Sequence, residues 1–288
     1  MPKIAAPPGI TAIGADNDCS LAVCPVEWSI YGYRPSLPAN VLFAALFALV
    51  GLLHAALGAR WRTWGFTFGV LLGCATEIIG YVGRALLWRD PFDYSAFMIQ
   101  IVCLTVAPVF YTASIYITLS NTIAHLGPAL SRFPPLLFYC IFIPADIVCL
   151  VLQAAGGAMS SGSNGASAAG ENISMAGLAL QVAVLVIFAA LSPPPNLALF
   201  VAGLAASTLL ILARCAYRVA ELRDGYDGSL IAEEVPFIVL EGAVVALAAA
   251  ALCLGHPGLV FGAAGAGAGK GMSDDEKDGP GRVPRYTQ

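Results

Sequence analysis

The stretch Gly65–Arg84, GFTFGVLLGCATEIIGYVGR, decides how this chain reads. It is long and apolar enough for a membrane-spanning helix, yet it carries Glu77 and Arg84. Glu77, Gly80, Tyr81 and Arg84 fall at i, i+3, i+4 and i+7, so a helix places all four on one face. Gly65, Gly69 and Gly73 extend that face in steps of four, a track of small residues that admits a neighbouring helix closely. An ionised side chain at the bilayer centre costs about 2.5 to 3.5 kcal/mol on insertion scales, so it faces a partner or a wet cavity. That cost makes Glu77 a candidate site residue.

The rest of the chain has the same character. Of its 288 residues, 58% are hydrophobic and 11% charged, and the mean hydropathy is +0.79; a soluble domain carries about a quarter charged residues. A net charge of −4 supplies no basic footprint, which sets nucleic acid aside as a partner. The fold class that follows is all-α, a polytopic integral membrane protein of seven transmembrane helices. Successive spans cover 37–59, 64–88 and 94 to about 125; Pro108 should kink the third. A fourth opens at Phe133-Pro-Pro135 and stops at Gly156 and Gly157, and a short fifth reaches Leu191. The Ser192-Pro-Pro-Pro195 turn sends the chain back into a sixth, followed by a charged loop over 214–234 and a seventh span over 235–254. Three parts result: an irregular tail over 1–36, a membrane domain over 37–258, and a disordered tail over 259–288.

Lysines and arginines divide almost evenly between the two sides, so the positive-inside rule does not orient the chain. Two features lean one way. Asn172-Ile-Ser174 is a glycosylation pattern in the small-residue connection between the fourth and fifth spans. Cys19 and Cys24 form a disulfide if the tail faces an oxidising compartment. Both put the amino terminus outside and the carboxyl terminus in the cytosol. The other six cysteines lie in or beside apolar runs and read as small hydrophobes.

Polar residues inside the spans form the candidate binding set: Glu77, Arg84, Gln100, Asp146, Gln153, Gln181 and Glu241. One reading is local, with Glu77 paired to Arg84 and the glutamines tying helices together. Against it, three carboxylates and one arginine leave acid unmatched, which suits a cationic ligand or a proton. His54, His125 and His256 have no metal-ligand spacing, so no metal is expected. The glycine run before Lys270 lacks the residues of a phosphate loop. No serine or cysteine has a placed base. The expectation is therefore no enzyme, no catalytic residue and no cofactor.

An ordered set of motifs carries a resemblance. It comprises Tyr33, Pro35, Ser36, Asn40 and His54; Glu77-x-x-Gly-Tyr-x-x-Arg84; Gln100, Ala107-Pro108 and Tyr116; Asp146, Gln153, Gly156 and Gly157; Gly177 and Gln181; Arg214, Arg218, Glu221 and Gly225; Glu234; and Pro257-Gly258. On these the chain resembles the fungal RTA1-like family of lipid-translocating exporters. Glu241 stands where the family pattern has aspartate. The resemblance implies seven spans, an outside amino terminus, a plasma-membrane setting, and a role in moving sphingoid long-chain bases or resisting toxic amphiphiles. A sphingoid base is a cationic amphiphile, an apolar chain with an ammonium head. Glu77, Asp146 and Glu241 are then expected to line one cavity for that head, with Gln100, Gln153 and Gln181 bonding its hydroxyls. Membrane lipid is the other partner, and the oligomeric state is left open. A seven-span receptor or sensor for amphiphilic ligands is the alternative.

Overall fold

In hydrocarbon every backbone polar group needs an internal partner, and a helix supplies one for each. A computed structural model of the protein describes residues 19–126, 135–162, 167–191, 198–223 and 233–258, and every regular element among them is helical. Among the described residues, seven helices are long and apolar enough to cross a membrane. They are α1 Leu37–Trp61, α2 Trp64–Arg89, α3 Tyr94–Leu126, α4 Pro135–Gly162, α5 Ala168–Leu191, α6 Ala198–Arg223 and α7 Glu234–Leu254. Pro108 and Pro144 lie inside α3 and α4, and both helices run on past them.

Two expected boundaries move. The sixth span continues through Arg214 and Arg218 to Arg223, because Arg214 lies on its buried face and is a helix residue, not a loop residue. The fourth passes Gly156 and Gly157 to Gly162, and α5 begins at Ala168, so Asn172 stands on an exposed helical position. Small residues let α4 and α5 pack too closely for a loop there: a side chain on Gly156 would overlap Ser174 and the Gly170 carbonyl.

Each helix packs on its neighbours in sequence, α7 closes the ring against α1, and α3 reaches across to α6. The tightest seam is between α2 and α3, on the glycine track. A Cβ on Gly73 would strike the Tyr111 ring, and one on Gly83 would stand 3.0 Å from the Ala96 carbonyl oxygen; Gly65 faces open space. Over Phe237–Ala243, α7 widens into a π-helix, a local geometry that recurs at functional sites.

The segment over 19–36 holds one 3-10 turn, Val26–Trp28, in an otherwise irregular backbone and is packed on the bundle. Cys19 and Cys24 are joined by a disulfide, and Ile30 and Tyr31 are buried against Leu87, Ala96 and Phe97. Arg34 donates to the Trp88 carbonyl at 2.9 Å through Nε and 2.5 Å through Nη2. The Ser36 amide donates to Glu234 Oε1 at 2.5 Å, tying the start of α1 to the start of α7. Residues 1–18 and 259–288, with Lys270, lie outside the described residues.

Candidate functional site

A cavity of about 190 Å³ occupies the end of the bundle that carries this amino-terminal segment. Its wall is mostly apolar, from Phe97, Ile101, Val106, Leu150, Leu178 and Phe237, with Tyr31, Thr105, Gln153, Ser174, Arg218 and Glu221 as the polar groups. Val102, which is 51% exposed, and the exposed Ala154 and Ala158 belong to the same wall, so the cavity reaches the outer surface of the bundle between α3 and α4. In a membrane that surface meets lipid. The carboxylate in the wall is Glu221, buried and bonded by Arg218 Nη1 at 2.5 Å, one turn back on α6.

Beside the cavity, Arg84 is held by aromatic rings. Its guanidinium lies 3.7 Å from the Phe237 ring centroid and 4.8 Å from that of Tyr31, and Nη2 donates to the Tyr33 hydroxyl at 2.7 Å. Ring faces attract a desolvated cation through their quadrupole. Gln100 Nε2 donates to the Tyr31 hydroxyl at 2.8 Å, which fixes the ring shared by the cage and the cavity wall. Burial pushes the Tyr31 and Tyr33 phenols up from their ordinary value, outweighing the nearby Arg84, so both stay neutral at physiological pH.

Deeper in the bundle is a second buried arginine. Arg214 donates to Glu241 through Nε at 3.0 Å and Nη2 at 2.5 Å, and Nη2 also reaches the Leu104 carbonyl at 2.8 Å. This fork geometry is the strong form of an ion pair. Glu77 is within electrostatic range of both members of the pair, and its Oε2 has no hydrogen-bond partner. The charges within range of Glu77 are thus Arg214 and Glu241, while Arg84, seven residues along the same helix, lies against rings.

The remaining candidates stand elsewhere. Asp146 Oδ2 accepts from Thr112 at 3.0 Å, on the seam between α3 and α4. Gln153 donates to Gln181 Oε1 at 3.0 Å, and the Gln153 carbonyl accepts from Ser174, so these two join α4 to α5 at the cavity. The expected meeting of three carboxylates around one cavity is replaced by a Glu77–Arg214–Glu241 group and a separate Asp146. The reason is Arg214, which supplies the cation a loop assignment leaves out. Of the seven candidates, Gln153 alone lines the cavity. Sequence reasoning missed Arg214 and Glu221 as interior groups. Their signal was spacing: Ser207, Ile211, Arg214, Arg218 and Glu221 follow i, i+4, i+7, i+11 and i+14, the stripe of one continuing helix.

At the opposite end, the His54 and His256 rings lie tilted at 31° with centroids 6.1 Å apart. His54 Nε2 lies 3.2 Å from the Ala249 carbonyl, and His256 Nε2 lies 3.3 Å from Thr63 Oγ1. No group of three His, Cys, Asp or Glu able to hold a metal occurs among the described residues; the His125 side chain lies outside them.

Seven spans around a mostly apolar cavity that opens on the outer surface of the bundle define a polytopic α-helical membrane protein. The family model described as RTA1 like protein matches residues 70–264, and the chain belongs to that family. The sphingoid long-chain base transporter RSB1 of Saccharomyces cerevisiae is 30% identical, over 90% of this chain and 79% of its own. From the same organism, Protein RTA1 is 29% identical over 75% of this chain and 80% of its own, and Protein RTM1 is 26% identical over 80% and 92%. No solved structure matches.

Proposed function

We propose that this protein takes a single-chain cationic amphiphile, a sphingoid long-chain base, from the surrounding lipid and translocates it. The cavity wall is the observation that carries the reading: apolar for most of its extent, reached from the lipid side between α3 and α4, and ending at the Glu221 carboxylate with Tyr31, Gln153 and Ser174 beside it. The ammonium head would bond Glu221, which shares its charge with Arg218, and the hydroxyls would bond Gln153 and Ser174. The chain would lie between α3 and α4 and remain in contact with lipid. Similarity to a relative named as a sphingoid long-chain base transporter supports that substrate class. The role is movement of the lipid rather than a reaction on it.

The orientation proposed is amino terminus outside, at the plasma membrane, with the cavity in the outer half. The Cys19–Cys24 disulfide and the exposed Asn172 sequon support it, since both belong to an oxidising, glycosylating compartment. So does drawing Arg84 and Arg214 inside the bundle. The cations left then lean toward the side of Arg60, Arg62 and the Lys270-to-Arg285 tail. The membrane domain proposed is 37–258, and the segment over 19–36 packs on it.

The test is movement of a labelled sphingoid base across vesicles reconstituted with the full chain. Glu221→Gln removes the charge and keeps the shape, so it should slow movement about tenfold, the loss of one charge-assisted bond. An unchanged rate in that variant, or no movement with wild type, would overturn the proposal. A cavity confined to one half of the bundle also serves a ligand sensor; saturable binding of the same probe without movement would select that reading.

A further inference from the structure

Glu77 is a buried carboxylate outside the cavity wall, and no ion pair or hydrogen bond among the described residues engages its Oε2. The titratable and charged groups within electrostatic range of it are Cys74 and Tyr81 on its own helix, Cys103 and Tyr111 on α3, Arg214 on α6 and Glu241 on α7. From α1 come Phe43 and Phe47, packed on the Tyr81 ring. Formal charge in this set rests on two carboxylates and one guanidinium, and the guanidinium is committed to Glu241 through two bonds. Glu77 Oε2 and Arg214 Nη1 are each buried without a hydrogen-bond partner. A second carboxylate charge in this interior has nothing to offset it, and an uncompensated buried charge is strongly destabilising.

We infer that Glu77 is a proton-binding site, protonated in the conformation described here and exchanging its proton as the Arg214 guanidinium turns from Glu241 toward Glu77. The proton leaves Glu77 for water on one side of the membrane while Glu241, freed of Arg214, takes one from water on the other, so the set keeps one proton and one paired carboxylate and no net charge is created inside. A metal cation would crowd the guanidinium; a proton does not.

Three helices carry the link to the cavity. Arg214, Arg218 and Glu221 lie on one stripe of α6; Glu241 follows Phe237 on the π-helical part of α7; Glu77 and Arg84 share a face of α2. A shift of Arg214 between the two carboxylates therefore acts on elements that also form the Glu221 wall and the Phe237 cover. This coupling rests on the transport reading above; the proton site does not.

Two measurements separate them. In infrared spectra of the purified full chain, the protonated-carboxyl carbonyl band should disappear in Glu77→Gln and persist in Asp146→Asn, and Glu77→Asp should shift it. Survival of the whole band in Glu77→Gln overturns the site. In reconstituted vesicles the probe is a labelled, N-trimethylated sphingoid base, whose own charge does not titrate. Its accumulation by wild type should change about tenfold per unit of imposed pH difference, as one exchanged proton requires, while Glu77→Gln should move it without regard to the gradient. Movement by wild type that ignores the pH gradient, or follows a sodium gradient at fixed pH, overturns the coupling. Absence of all movement in wild type counts against the transport reading, and the infrared result then decides the proton site alone.

Discussion

Arg84 and Arg214 are both shut away from solvent, at 1% and 0% exposure, and their surroundings have little in common. Arg214 is met by opposite charge in a two-pronged bond with Glu241 and by a backbone carbonyl. Arg84 is met by ring faces and a neutral phenol, with no carboxylate bonded to it among the described residues. The difference teaches that a cation among lipid-facing helices does not by itself predict an acidic partner. Quadrupoles and dipoles can hold it, and the nearby acid is then left for other work.

Removing each arginine tests that contrast. The largest effect belongs to Arg214→Leu, which leaves Glu241 as an unopposed buried charge. It should cost about 3 to 5 kcal/mol, seen as loss of monodisperse protein in detergent, and Glu241→Gln in the same chain should restore part of it. Arg84→Ala should cost less, about 2 kcal/mol, because the partners left behind are neutral. Arg84→Lys should recover under half of that, since an ammonium cannot lie flat against Phe237 while bonding Tyr33. Thermal unfolding in detergent reads both, and equal losses at the two arginines would erase the contrast.

The smallest effect is an internal control from the far end of the bundle. Burial, and then His54 beside it, lower His256 from its ordinary 6.5 to about 4. A base whose folded-state value is depressed stabilises the fold above 6.5, and that stability is lost as pH falls from 6.5 toward 4. Lowering the pH from 7 to 5 should reduce Tm by about 2 °C, and His256→Gln should flatten the dependence. A profile unchanged by that substitution would assign the loss to other groups.

Much of the fold was legible because hydrocarbon leaves few choices. Runs of apolar residues of spanning length must be helices, and Trp64 and Trp88 marked the ends of α2 within a residue of their place. The face shared by Glu77, Gly80, Tyr81 and Arg84 was legible too, since all four are buried on α2. What each of them touches was not. Period places residues on a face but says nothing of which neighbouring helix fills the space opposite, so Glu77 and Arg84, one face apart by only seven residues, found unrelated partners. Arg214 escaped for a second reason. A charge at the end of an apolar run looks like the start of a loop unless the stripe is followed through it to Glu221. Tyr31 escaped for a third, because an irregular segment has no period to read, yet its ring completes the cavity.

The π-helical stretch of α7 has a consequence for how this sequence can change. Phe237 meets Arg84 and Glu241 meets Arg214, and both contacts arise within the wide turns between Phe237 and Ala243. Deleting a single residue there would rotate one contact about 100° away from the other, a fault no side-chain replacement corrects. Substitutions in that turn are tolerable in principle; a change of length is not, and an insertion or deletion scan across α7 should find its sharpest intolerance there.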